Sequence, residues 1–280
     1  MFNIIFILFF IFQIVIIFKL FKKKEYTKVT LYTIFTILFY IFVMWYTNHC
    51  EKVETFVLDS KIKGPNILII AGTHGNESGP CVGLEDLIKL FTKNKINLKR
   101  GKLTIVPTIN KCGRNLNLRF QPQKVLNLDF SNWDINRNYA SRKGEEGSCD
   151  ISNKIQTLID NSDYILDFHE GYSFNKLNPS SMGQTLYPGL IGNSKQIALR
   201  MKDKVNTSMK SIGEKDDYKY YDVFDNWPEI NGSLRKFANI NNKPYILVEI
   251  AGQNKNQTLD EKVFQTKELC LAFLKELNSI

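Results

Sequence analysis

The pattern of hydrophobic and polar positions divides this chain into two unlike parts. Phe2 to Phe18 is an almost unbroken run of Ile, Phe, Leu and Val, interrupted only by Asn3 and Gln13. A second apolar run goes from about Val29 to Tyr46. Each is close to the ~20 residues a helix needs to cross a bilayer, so spans over about 2–20 and 29–46 are expected. A cleaved signal peptide fits the first run less well, because no basic region precedes it and no small-residue cleavage site follows. Beyond residue 50 the pattern changes to short apolar runs alternating with helical periodicity. Strands are predicted at Val53–Leu58, Asn66–Ala71, Lys102–Val106, Tyr164–Phe168 and Tyr245–Ile250. Helices are predicted at about Pro80–Phe91, Ile151–Asp160, Ser194–Ser211 and Leu259–Leu277. Residues 108–146, rich in Asn, Arg and Gly, read as a long loop, and loops of that length inside a compact domain are usually functional.

This alternation predicts an α/β fold: a mixed, mostly parallel β-sheet flanked by helices, preceded by two transmembrane helices. Residues 1–48 are then a transmembrane hairpin and 49–280 one domain large enough for a sizeable core. Lys19, Lys22, Lys23, Lys24 and Lys28 lie between the two runs against a single acid, Glu25. Lysine-rich short loops stay cytosolic, which predicts a two-pass protein partnered with the lipid bilayer and a domain on the extracytosolic side. Trp45 and Tyr46 suit the far interface, and His49 is a bystander there.

The formal net charge of +9 owes part of its size to that lysine loop. The remaining lysines are scattered among acids and asparagines, so no nucleic-acid partner is expected. Cys50, Cys81, Cys112, Cys149 and Cys270 are too widely spaced for a C-x-x-C zinc pattern. They read chiefly as small buried residues; a disulfide is compatible with an extracytosolic domain, with no pairing specified.

The chemistry starts at the histidines. His74 follows the strand Asn66–Ala71, in Ala71-Gly-Thr-His-Gly-Asn-Glu-Ser-Gly79, and Glu77 stands three residues on. His169 ends the run Tyr164-Ile-Leu-Asp-Phe-His169. Strand ends of an α/β sheet gather on one edge, so these three side chains can converge. Two imidazoles and a carboxylate with a fourth position open is the ligand pattern of a catalytic zinc site. Asp167, two residues before His169, projects to the same face and can orient an imidazole. Glu249, in Pro244-Tyr-Ile-Leu-Val-Glu-Ile250, is a carboxylate in an apolar strand, costly there as an unpaired structural charge.

His74-Gly-Asn-Glu77, Asp134-Ile-Asn-Arg-Asn138 and Asp167-Phe-His-Glu170 together resemble the zinc carboxypeptidase superfamily, most of all its succinylglutamate desuccinylase/aspartoacylase branch. The resemblance covers about residues 64–275. It implies one zinc ion on His74, Glu77 and His169, with Asn136 and Arg137 holding a substrate carboxylate. Their chemistry agrees: a guanidinium offers a planar fork to a carboxylate. Val106-Pro-Thr-Ile-Asn110 with Gly113 looks like a degraded Asn-Pro-Asp-Gly loop, in which Lys111 and Cys112 replace the middle pair. The resemblance then implies a carbonyl-polarising arginine, Arg119 by spacing, with Arg114 as rival. It makes Glu249 the general base, with Glu170 as rival, and leaves Tyr187 or Tyr221 as conceivable assisting tyrosines. The implied activity is a membrane-anchored zinc amide hydrolase acting on an N-acyl amino acid or related carboxylate-bearing amide. A metallocarboxypeptidase trimming peptides is the alternative, favoured by the short stretch after Glu249, which has no room for the extra β domain of typical aspartoacylases. A non-catalytic metal- or ligand-binding protein is the alternative of another class.

Overall fold

The structure is a computed structural model that describes residues 13–49, 52–121, 133–225 and 228–280, with the backbone alone at 40 and 42–49. Two helices open the described chain, α1 over 13–22 and α2 over Tyr26–His49. The expectation of two membrane spans is overturned here, and with it the two-pass localisation and the bilayer as partner. Among the described residues no helix is long and apolar enough to cross a membrane. The described part of α1 rises about 15 Å, half of a hydrocarbon core about 30 Å thick, and residues 1–12 lie outside the described set. α2 opens on Tyr26, Thr27 and Lys28, ahead of the apolar run. A stripe of threonines follows, in which the Thr30, Thr33 and Thr36 hydroxyls donate to the carbonyls of Tyr26, Val29 and Tyr32. Of the residues assigned to the membrane interface, the side chains of Trp45, Tyr46 and His49 also lie outside it.

The rest folds around one seven-stranded sheet. Its strands are β1 Phe56–Asp59, β2 Asn66–Ala71, β3 Lys102–Val106, β4 Tyr164–Gly171, β5 Thr185–Pro188, β6 Asp222–Val223 and β7 Tyr245–Ala251. Their spatial order is β1-β3-β2-β4-β7-β5-β6. The pairs β2–β3, β2–β4, β4–β7 and β5–β6 are parallel, while β1–β3 and β5–β7 are antiparallel. The sheet is therefore mixed and mostly parallel, as the alternation predicted. The short strands β5 and β6 escaped prediction, as did two short helices, α4 Lys111–Asn115 and α7 Leu234–Ile240. The longer helices are α3 Ser78–Thr92, α5 Asp150–Asp160, α6 Ser194–Ser211 and α8 Leu259–Glu276.

Side-chain alternation gives the central strands two faces. On one, Ile69, Leu166, Phe168, Val248 and Ile250 pack against Leu84 and Leu87 of α3, Met201 of α6, and Leu269 and Phe273 of α8. On the other, Leu68, Ile70, Ile165 and Leu247 pack against Ile151, Ile155 and Ile159 of α5 and Phe237 of α7. That second face also carries Asp167 and His169 on β4 and Glu249 on β7, with His169 paired to Glu249 in register. Cys81, Cys149 and Cys270 are buried free thiols, and Cys112 is disulfide-bonded.

Candidate active site

Three neighbouring parallel strands deliver the site. The chain leaves β2 through a turn that carries His74 and Glu77 into α3. The turn rests on α4, and a β-carbon at Gly75 would collide with the Gly113 backbone, so glycine is required for this close approach. His169 stands near the end of β4. The three side chains are 2–3% exposed and converge: His74 Nδ1 lies 2.8 Å from Glu77 Oε1, His169 Nδ1 lies 2.9 Å from Glu77 Oε2, and the two Nδ1 atoms are 3.1 Å apart.

This arrangement fits a metal ion. The ligand atoms all lie within 4.8 Å of one another. Two nitrogens at ~2.0–2.1 Å from one tetrahedral ion stand roughly 3.3 Å apart, close to the separation seen. The outward nitrogens face carboxylates, His74 Nε2 at 3.0 Å from Asp134 Oδ1 and His169 Nε2 at 3.4 Å from Asp167 Oδ2. Such partners fix the orientation and basicity of a ligating imidazole. The electrostatics agree. Burial pushes both imidazoles down, yet the surrounding carboxylates outweigh it and hold both above their ordinary value. Burial pushes Glu77 up, but His74 and His169 hold it well below the carboxylate range. The cluster thus draws positive charge.

A cavity of about 320 Å³ opens beside the cluster, and His74, Glu77, Arg119, Asn136, Arg137, His169 and Glu249 all line it. Arg119 donates from Nη1 to Glu77 Oε1 at 3.2 Å and from Nη2 to Asp134 Oδ2 at 3.4 Å. Arg114 lies elsewhere, bound to Glu85 and donating to Thr108 Oγ1 at 2.8 Å. Asn136 is fixed through Oδ1, which accepts from Leu234 N at 3.0 Å, and Arg137 is folded against the Asn136 carbonyl at 2.6 Å. Glu249 is 8% exposed. Burial is the main influence on its carboxyl, only partly opposed by His169, and pushes it up to about 7.

Other candidates fall outside the reacting end. The Glu170 carboxylate is held by Lys262 Nζ at 3.0 and 3.2 Å. Tyr221 donates to Gln265 Oε1 at 2.9 Å within the core, and Tyr187 stacks on Phe224; the tyrosines that line the cavity are Tyr172 and Tyr245. Tyr245 donates to Asp167 Oδ2 at 2.7 Å, so Asp167 is shared between a phenol and His169. Sequence reasoning assigned no role to Asp134, Gln253 or Arg235. Asp134 had a signal, since it opens the Asp134–Asn138 motif. Gln253, which donates to Glu77 Oε1 at 3.1 Å, had none. Nor had Arg235, a guanidinium only 5% exposed that lines the cavity and donates to the Pro188 carbonyl at 3.1 Å.

Comparison with known proteins agrees with the motifs. Residues 63–186 match the model of the succinylglutamate desuccinylase/aspartoacylase catalytic domain. No curated protein matches the chain. Among solved structures, the tripeptide-bound cell shape determinant Csd4 from Helicobacter pylori superposes with a TM-score of 0.65 at 19% identity, over 82% of this chain and 56% of its own. The mDAP-bound form of Helicobacter pylori Csd4, described as a D,L-carboxypeptidase, gives 0.61 at 18% identity, over 78% and 52%. A candidate metallopeptidase from Shewanella amazonensis gives 0.59 at 19% identity, over 80% and 81%. The chain thus spans about half the length of Csd4. At these identities the structures establish the fold alone, the one this chain shares with Csd4 and the Shewanella protein. The resemblance read from the three motifs is borne out, and the matched model is that of a catalytic domain.

Proposed function

We propose that residues 49–280 form a zinc-dependent hydrolase domain that cleaves an amide in a carboxylate-bearing substrate. The observation that carries this reading is the convergence of His74, Glu77 and His169 with Glu249 and Arg119 in one cavity at the ends of adjacent strands. Zinc bound by the three ligands would supply Lewis-acid polarisation and a lowered pKa for water held there. Glu249, buried and facing His169 across the β4–β7 register, takes the proton from the attacking water and returns it to the leaving nitrogen. Arg119, whose side chain is 36% exposed and lines the cavity, donates to the carbonyl oxygen as negative charge develops. Asn136 and Arg137 hold the substrate carboxylate. Asp134 and Asp167 keep the imidazoles oriented.

The matched family model supports an N-acyl amino acid as substrate. A second reading, trimming of a peptide from its C-terminus, is supported by the likeness to Csd4 bound to a tripeptide and to mDAP. The test is a panel of N-acyl amino acids and short peptides offered to the full chain with and without a chelator, alongside zinc content. Chelator-sensitive hydrolysis is expected, and the panel member turned over decides between the two readings. Bound zinc without hydrolysis of either class would make the chain a binding protein instead.

A further inference from the structure

Glu77 occupies the N-cap of α3, yet its side chain makes no cap hydrogen bond, because the carboxylate is turned into the ligand cluster. A helix start still needs acceptors for its first backbone N–H groups. The acceptor comes from another strand: Glu170 Oε1 takes the Gly79 N–H at 2.6 Å. The same residue's backbone N–H donates to Glu77 Oε2 at 3.1 Å. Glu170 therefore grips both the ligand and the helix start behind it, the first through its backbone and the second through its side chain. Lys262 of α8 sits on the Glu170 carboxylate, and both residues are buried. A β-carbon at Gly252 would overlap that carboxylate, so the loop leaving β7 leaves no slack around the pair. Gln253 follows directly; its Nε2 bonds both Glu77 Oε1 and the Glu170 carbonyl.

We propose that Glu170 and Lys262 are positioning residues: Glu170 caps α3 in place of Glu77, which frees Glu77 to ligate, and Lys262 keeps the capping carboxylate in place. The negative cap also complements the positive end of the helix dipole. The pair then sets how tightly the site holds its metal without touching it. This rests on the metal-site reading given above. Outer partners of metal ligands are typically worth about 10–100-fold in affinity, and that is the size expected here.

The test is zinc affinity of the full chain, measured by competition with a chromophoric chelator, with unfolding of the metal-free protein measured in parallel. K262M, which leaves a buried carboxylate unpaired, is expected to weaken zinc binding by about 10–100-fold. The double variant E170Q/K262M removes both charges, leaves no unpaired ion, and keeps an amide oxygen for the Gly79 N–H. It is expected to fold with near wild-type stability and to bind zinc more tightly than K262M but about tenfold more weakly than wild type. If K262M does not fold, the double variant alone decides. Wild-type zinc affinity in the double variant, or lowered stability with unchanged zinc affinity in K262M, would overturn the proposal. A wild-type chain that binds no zinc would instead overturn the metal-site reading itself.

Discussion

Replacing Glu249 by Gln should separate activity from stability. The carboxyl is raised from an ordinary 4.5 to about 7, chiefly by burial. At about 1.4 kcal/mol per pH unit, that displacement is worth about 3 kcal/mol. The sign follows from the direction. The folded state favours the neutral acid, so this contribution is complete below about pH 4.5 and is lost as pH rises towards 7. Gln is neutral throughout and close in shape. Metal-free E249Q should therefore unfold with a free energy about 3 kcal/mol above wild type at pH 8, and within about 1 kcal/mol of it at pH 5. For a domain of this size that is about 6–12 °C in Tm at pH 8. Hydrolysis should fall by about 10²–10⁴-fold, the usual worth of a positioned general base, with zinc still bound. Thermal melts in chelator at the two pH values and steady-state assays with zinc measure both halves. A variant that keeps full activity would remove Glu249 from the proton transfer. A variant equally shifted or destabilised at both pH values would show that burial does not charge the site with this cost.

Other perturbations test the remaining parts. His74→Ala deletes one of three ligands, so zinc content by elemental analysis should fall to background while the sheet persists by circular dichroism. Arg235→Met should weaken kcat/KM about tenfold for a substrate bearing a second carboxylate and leave its neutral amide isostere nearly unchanged, because a buried guanidinium discriminates between them; equal losses on both would exclude that contact. Gly75→Ala forces a β-carbon into the Gly113 backbone and should cost about 1–3 kcal/mol in denaturant melts, with weaker zinc binding as His74 shifts.

The parts of the fold that could be read from sequence are those where one physical signal dominates. The runs Asn66–Ala71, Tyr164–Gly171 and Tyr245–Ala251 are buried along nearly their whole length, and continuous apolar sequence reports that directly. Strands β5 and β6 are short and partly edge-lying, so they offer no period to detect. The apolar N-terminal runs show the opposite failure. Residue counts suggested spans, but among the described residues no helix is long and apolar enough to cross a membrane. At the site, the sequence could nominate residues at strand ends but could not separate Arg119 from Arg114. That separation depends on Glu85 and Thr108 drawing Arg114 away from the cavity. Gln253 and Arg235 carry no pattern at all; only the tertiary fold brings them to the cavity.

The register of β2, β4 and β7 has a consequence for how the protein is made. His74 just beyond β2, His169 on β4 and Glu249 on β7 are brought together by strands adjacent in space but separated by long stretches of chain. Each strand can dock only after an intervening helical crossover has closed a large loop, and contacts of that kind form slowly. A half-synthesised chain, ending before β4, holds His74 and Glu77 without the imidazole that completes the set. Metal uptake during refolding should therefore lag behind the recovery of helix signal and coincide with the docking of β4 beside β2. A cation held there would then draw its binding free energy from the finished sheet and return it as stability of the whole domain.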